Sequence, residues 1–111
     1  AAAGLRNETQ LERDGGLRLD AIPDNYYAIQ LMAAAYLGQA EVYVENRELS
    51  TADIVPIMTD RGPWFVVILD YQADVGSARQ VAENFTASFP GENPWVRQVS
   101  DLRRAHQRSR D

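Results

Sequence analysis

The segment Asp60–Tyr71, with the sequence DRGPWFVVILDY, carries the clearest structural signal in this 111-residue chain. Turn-forming residues open the segment, and an apolar run rich in β-branched and aromatic residues follows. This pattern predicts a hairpin turn that leads into a central β-strand. A central strand needs a partner on each edge and cover on at least one face, and the flanking segments can supply both.

The residues before this segment predict a strand, a helix and a second strand. Tyr26–Ala33 alternates as a strand, and Ala34–Leu49 has apolar residues at helical spacing. Ile54–Met58 is a short apolar strand, and Pro56 places it at a sheet edge because proline has no N–H to donate. The first strand divides into a core set of Tyr27, Ile29, Leu31 and Ala33 and an opposite set of Tyr26, Ala28, Gln30 and Met32.

The residues after the central strand predict a second helix and a last strand. Asp74 is a suitable N-cap for a helix that ends near Phe89–Gly91, and Trp95–Val99 forms a short strand. Residues 103–111 are polar and rich in arginine, so we expect a flexible tail in which His106 is solvated.

This order, β-α-β-β-α-β, predicts an α+β fold with an RNP-like four-stranded antiparallel sheet and two helices on one face. Residues 24–102 form the domain, and residues 1–23 form a linker or a partly ordered N-terminal extension. The helices bury Ile29, Leu31, Phe65, Val67 and Leu69. The other face is expected to stay open, with Gln30, Trp64, Val66 and Trp95 on it.

Composition limits the function. Residues 24–102 contain eleven acidic and four basic side chains, a net charge near −7 that opposes binding to nucleic acid. The chain has no cysteine, so it forms neither a disulfide nor a thiolate metal site. No apolar run approaches the roughly 18 residues of a membrane span. Without an initiator Met or a signal-type segment, the sequence is expected to be a piece of a longer chain.

No catalytic set is evident, and we expect no enzyme activity, no metal and no cofactor. Asp70 and Asp74 are the only close carboxylate pair that might approach a groove, and a strand end and an N-cap explain them more simply.

Trp64 has the opposite parity from Phe65, and Trp95 follows a proline at the start of a strand. Exposed aromatic side chains on a sheet can stack on sugars or bases.

Three segments resemble the SPOR domain (sporulation-related repeat), a peptidoglycan-binding module of bacterial cell-envelope proteins. Tyr27–Leu31 is similar to its first strand, with a Gln. Gly62–Val67 is similar to the Pro-Trp-aromatic start of its third strand, and Asn93–Arg97 to the Asn-Pro-Trp lead into its last. The resemblance covers roughly residues 25–102, and it rests on all three motifs occurring in order.

The resemblance implies the same RNP-like fold and the binding of denuded glycan, which is peptidoglycan stripped of its stem peptides by amidases. It implies glycan contacts at Gln30, Trp64 and Trp95, whereas Ala33 stands where some members have a Ser. It further implies a periplasmic domain at the division septum, anchored in the inner membrane by an upstream segment absent from this chain. Glycan strands and other cell-division proteins are the implied partners.

Two other functions remain open. An RNA-recognition module has the same element order, and residues 61–66 partly match its RNP1 motif. That alternative requires Phe65 to face outward, whereas the glycan-binding hypothesis requires Trp64 to do so. A protein-docking module could instead use a strand edge or the sheet face.

Overall fold

The computed structural model describes residues 18–110, which form an α+β fold with a four-stranded antiparallel sheet. The strand order is β2-β3-β1-β4, so the predicted central strand has a partner on both edges. The strands are β1 (Tyr27–Ala34), β2 (Asp53–Thr59), β3 (Gly62–Gln72) and β4 (Trp95–Gln98). The helices are α1 (Arg18–Asp20), α2 (Leu37–Asn46), α3 (Val75–Ser88) and α4 (Val99–Arg110).

The hairpin between β2 and β3 forms at the predicted turn. Thr59 pairs with Gly62, and Gly62 has a φ of 106°, which glycine adopts without steric cost. The Thr59 hydroxyl accepts a hydrogen bond from the Arg61 N–H (3.1 Å) and donates one to the Gly62 carbonyl (2.9 Å). β2 lies at one edge of the sheet, as Pro56 predicts.

One face of the sheet packs against α2 and α3, which confirms the predicted core face. Ile29, Leu31 and Val67 are buried there, with Phe65 and Leu69 partly buried beside them. The helices contribute Ala40, Val44, Ala78 and Phe85 to this cluster.

An irregularity in β1 changes the predicted alternation. The pairing register between β1 and β3 shifts between Gln30 and Met32. Met32 consequently packs with the helix-side cluster, and Ala33 is exposed on the face of Gln30. The sequence-based assignment of these two residues was therefore wrong, because it assumed an unbroken two-residue period.

The second face of the sheet is not left open, contrary to the sequence-based expectation. Leu102 and Val99 of α4 are fully buried in a cluster that includes Val66 and Ile68 of β3. Leu19 of α1 is buried in the same cluster. Part of the face that was predicted to be open is thus a second hydrophobic core.

Residues 103–110 form most of α4, so the prediction of a flexible tail was wrong for them. His106 is only 2% exposed, and its Nδ1 donates a hydrogen bond to the Pro56 carbonyl (2.8 Å). The Ser109 hydroxyl also lies 3.1 Å from this carbonyl oxygen. α4 thereby covers an edge strand whose backbone groups would otherwise be accessible to other chains.

Arg103 connects α4 to the segment before β1. Its Nε donates to Asp24 (2.7 Å), and its Nη atoms donate to the carbonyls of Leu19 and Ile22. The folded body therefore extends beyond residues 24–102 in both directions. Of the predicted linker at residues 1–23, residues 1–17 lie outside the described residues, as does Asp111.

Leu102→Ala tests whether α4 is part of the folded core. Because Leu102 is fully buried, we expect the free energy of unfolding in urea to fall by about 2–5 kcal/mol. Gln107→Ala, at an exposed position of the same helix, should change it by less than about 0.5 kcal/mol. Equal, small effects of both substitutions would show that α4 does not contribute to the core.

Candidate functional site

α4 covers only part of the second sheet face, and the uncovered part forms a groove of about 450 Å³. Residues from all four strands and from the β2–β3 turn line this groove. They include Gln30, Ala33, Trp64, Val66, Trp95 and Arg97. The three residues that the resemblance implies as glycan contacts are therefore brought together at one site.

The two tryptophans have different environments. Trp64 lies opposite Ile57 in the β2–β3 pairing and packs, partly buried, against the second core. Trp95 lies at the start of β4, pairs with Gln30 and is 56% exposed. Trp64 is thus a wall of the groove fixed by packing, whereas Trp95 presents an aromatic surface that a ligand can cover.

Gln30 and Arg97 form a hydrogen-bonded pair within the groove. Arg97 Nη1 donates to Gln30 Oε1 at 2.9 Å, and the Arg97 guanidinium lies 5.2 Å from the centre of the Trp95 ring. Because a guanidinium has only donors, it fixes the side-chain oxygen of Gln30 toward Arg97. The Gln30 amide N–H₂ group then remains to donate hydrogen bonds to a ligand.

The Arg97 guanidinium is partly removed from water. Burial lowers its pKa, and the Asp101 carboxylate opposes this change. Arg97 Nε is buried and has no hydrogen-bond partner within residues 18–110. A buried donor without an acceptor costs free energy, and because Nε is closed off from solvent this cost belongs to the fold and does not offer a contact to a ligand.

The groove is more positive than the domain around it. Arg61 and Arg97 line it, whereas Asp60 is its one acidic residue. Within residues 18–110, two of the nine arginines and only one of the twelve acidic residues lie at this site. The groove suits a ligand that carries an anionic group better than the net charge of the chain suggests.

A cluster behind β4 positions the loop that precedes Trp95. Tyr43 donates a hydrogen bond to Glu92, and Arg47 pairs with the same carboxylate at 3.0 Å. The Arg47 guanidinium also lies 3.8 Å from the centre of the Tyr43 ring. Burial, followed by the Glu92 carboxylate, raises the pKa of Tyr43, so it stays a neutral hydrogen-bond donor.

Arg97 is the groove residue that sequence analysis did not assign to the site. It lies two residues after Trp95 in β4, so the two-residue period of a strand places both on one face.

Phe65 packs with the helix-side cluster, while Trp64 lines the groove. The outward Phe65 that the RNA-recognition alternative requires is therefore not observed.

Asp70 and Asp74 both lie outside the groove lining and have structural partners. Asp70 accepts a hydrogen bond from Gln72 (2.8 Å) and lies 3.7 Å from Arg18. Asp74 is the N-cap of α3, as predicted, and accepts a hydrogen bond from the Ser77 backbone N–H (2.8 Å). These bonds lower the pKa of Asp74, whereas the general acid of a glycosidase needs a raised pKa.

Within residues 18–110, no group of three His, Cys, Asp or Glu side chains is arranged to hold a metal ion. In the same part of the chain, no helix is long and apolar enough to cross a membrane.

Comparison of the sequence with models of protein families finds no matching family. Comparison with curated proteins finds no significant match.

Asp74→Ala tests the capping role of this carboxylate. Its lowered pKa means that its contribution to stability is complete above the usual value of 3.8 and is lost as the pH falls through the folded-state pKa. We expect the variant to have a lower unfolding temperature at neutral pH, with the difference from the parent chain shrinking in acid. Glu83→Ala, which removes an exposed carboxylate from the same helix, controls for net charge. A difference that stays constant down to pH 2 would contradict the assignment.

Proposed function

We propose that this chain is a SPOR-type domain that binds peptidoglycan without catalysis and prefers glycan strands denuded of their stem peptides. The observation that carries this proposal is the groove, in which Gln30, Trp64 and Trp95 meet on one face of the sheet. These residues lie at least 31 positions apart in the sequence and on three different strands, and they come from the three segments that resemble the family.

The chemistry of the groove suits a sugar chain. The faces of pyranose rings present C–H groups that pack against aromatic rings, and Trp95 offers an exposed ring for this contact. Hydroxyl and acetamido oxygens can accept hydrogen bonds from the Gln30 amide and the Arg97 guanidinium. The groove floor is apolar, because Ala33, Ile57 and Val66 lie there.

The shape of the groove favours binding without a reaction. It is a shallow surface that runs over all four strands, so a bound chain stays largely in water. Shallow sites enclose little of their ligand, and we expect modest affinity for each site. A polymer with many repeats compensates by offering many equivalent positions.

The proposal places the domain in the periplasm of a bacterium, where denuded glycan marks the division septum. The chain would belong to an inner-membrane protein, with its anchor in an upstream segment, and would direct that protein to the septal ring. Other cell-division proteins are proposed as further partners.

A protein-docking function is the second candidate, supported by a different surface. β4 is a four-residue edge strand, and a cavity of about 440 Å³ lies between it and α3. Tyr27 and Val75 contribute apolar surface there. An extended segment of another protein could pair with β4 and place side chains in this cavity.

Co-sedimentation with peptidoglycan sacculi tests the proposed function. We expect binding to increase after the sacculi are treated with an amidase, because that treatment creates denuded strands. Trp64→Ala and Trp95→Ala should each weaken binding about tenfold, since an aromatic contact of about 1.5 kcal/mol corresponds to that factor.

Tyr36→Ala removes an exposed aromatic side chain that does not line the groove, and it should bind like the parent chain. Thermal unfolding of each variant distinguishes loss of the site from loss of the fold. Because Trp95 is more than half exposed, its substitution is expected to affect stability less than that of Trp64. Absence of binding to either kind of sacculus would overturn the proposal and favour the docking function.

A further inference from the structure

We propose that Arg97 lets the groove recognise the free carboxylate of muramic acid, the group that distinguishes denuded from peptide-bearing glycan. This inference rests on the proposed function and names the chemical basis of its preference. The ligand class is a β-1,4-linked aminosugar chain with a lactyl carboxylate on alternate sugars.

The distinguishing group follows from the chemistry of the amidase. The enzyme breaks the C–N bond between the lactyl carbonyl and the first amino acid of the stem peptide. Water supplies the oxygen, the peptide leaves with a free amino group, and the lactyl ether retains a carboxylate. Each removed peptide therefore replaces a neutral amide by an anion on the glycan, and a cationic site can discriminate between the two.

Arg97 has donors for such an anion. Gln30 Oε1 accepts from Nη1, and Nε is closed off from solvent, so Nη2 is the guanidinium nitrogen left to bind a ligand. A charge-assisted hydrogen bond from Nη2 can hold a carboxylate at this position. The bond from Gln30 holds the guanidinium plane, which reduces the ordering that a ligand must impose.

The position of Trp95 places this guanidinium next to a stacked sugar. The Arg97 Cζ atom lies over the Trp95 ring, 5.2 Å from its centre, so the guanidinium borders the aromatic surface. A sugar that packs on the part of the Trp95 ring left exposed therefore lies next to the guanidinium. A lactyl group on that sugar or on its neighbour is the substituent long enough to reach the guanidinium.

The distribution of charged residues favours binding of an anionic group in the groove over binding on the rest of the surface. Arg61 and Arg97 line the groove with a single acidic residue, Asp60, whereas the rest of residues 18–110 contains eleven acidic residues and seven arginines. Like charges on that surface repel a polyanion as a whole, while opposite charges at the groove attract a single carboxylate. This pattern matches a ligand whose anionic groups are spaced along a neutral chain.

The test compares three tetrasaccharides by isothermal titration with the full chain. The first is a GlcNAc–MurNAc tetrasaccharide with free lactyl carboxylates, and the second is the same glycan with both carboxylates converted to primary amides. The third is chitotetraose, which has no lactyl group. We expect the carboxylate form to bind at least tenfold more tightly than the amide form, because the amide lacks the negative charge that the guanidinium attracts.

Arg97→Gln should reduce this preference to less than about twofold, because it weakens binding of the carboxylate form much more than binding of the amide form. Arg97→Lys should keep an intermediate preference, because an ammonium keeps the charge without the planar guanidinium that Gln30 holds in place. Arg79→Gln, which removes an exposed arginine of α3 outside the groove, should keep the full preference.

The possible results separate the two proposals. Equal binding of the carboxylate and amide glycans by the parent chain would overturn the inference while leaving glycan binding intact. An equal loss of affinity for both glycans in a folded Arg97→Gln variant would also overturn the inference. Failure to bind any of the three glycans, combined with failure to bind sacculi, would overturn the proposed function and the inference together. The comparison of ligands needs no variant, so it stays decisive even if Arg97→Gln does not fold.

Discussion

The central strand β3 is apolar on both of its faces, and the arrangement of the helices follows from the need to bury both. Val67 points toward α2 and α3, whereas Val66 and Ile68 point the other way and are fully buried beneath α4 and α1. A continuous apolar run is typical of strands that are covered on both sides. Two helices on one face would leave Val66 and Ile68 in water, so the fold needs a third layer.

The dimensions of α4 explain why this third layer is incomplete and why a groove remains. Its 12 residues give a length of about 18 Å, close to the roughly 14 Å that separate the outer strands of a four-stranded sheet. α4 begins directly after β4 at one edge and bonds to β2 at the other, so it crosses the sheet once. β3, with 11 residues, extends about 37 Å, far more than the width of one helix. The uncovered end of the sheet is the end that carries Trp64.

The sequence was sufficient for the parts of the fold that depend on local pattern. Element order, the Asp74 cap, the edge position of β2 and the outward parity of Trp64 all follow from spacing and turn chemistry. α4 was missed because its apolar residues are few and stand among arginines, and its contacts are with residues far away in the chain. Arg103, for example, bonds to Asp24 and to carbonyls of the preceding segment. The irregularity at Gln30 was missed because it is set by pairing with β3, which the pattern of β1 alone does not contain.

The structure also changes the roles within the candidate site. The resemblance implies Gln30 as a direct ligand contact, yet its oxygen is already bonded to Arg97, so Gln30 acts partly by holding the guanidinium. The acidic character of the domain and the positive character of the groove do not conflict. Exposed charges farther apart than about 8 Å are largely screened at physiological ionic strength, so a bound carboxylate interacts mainly with Arg97 and its neighbours. Under the proposed function, net charge would limit which polymers approach the domain, while the residues of the groove would determine which chemical group is held.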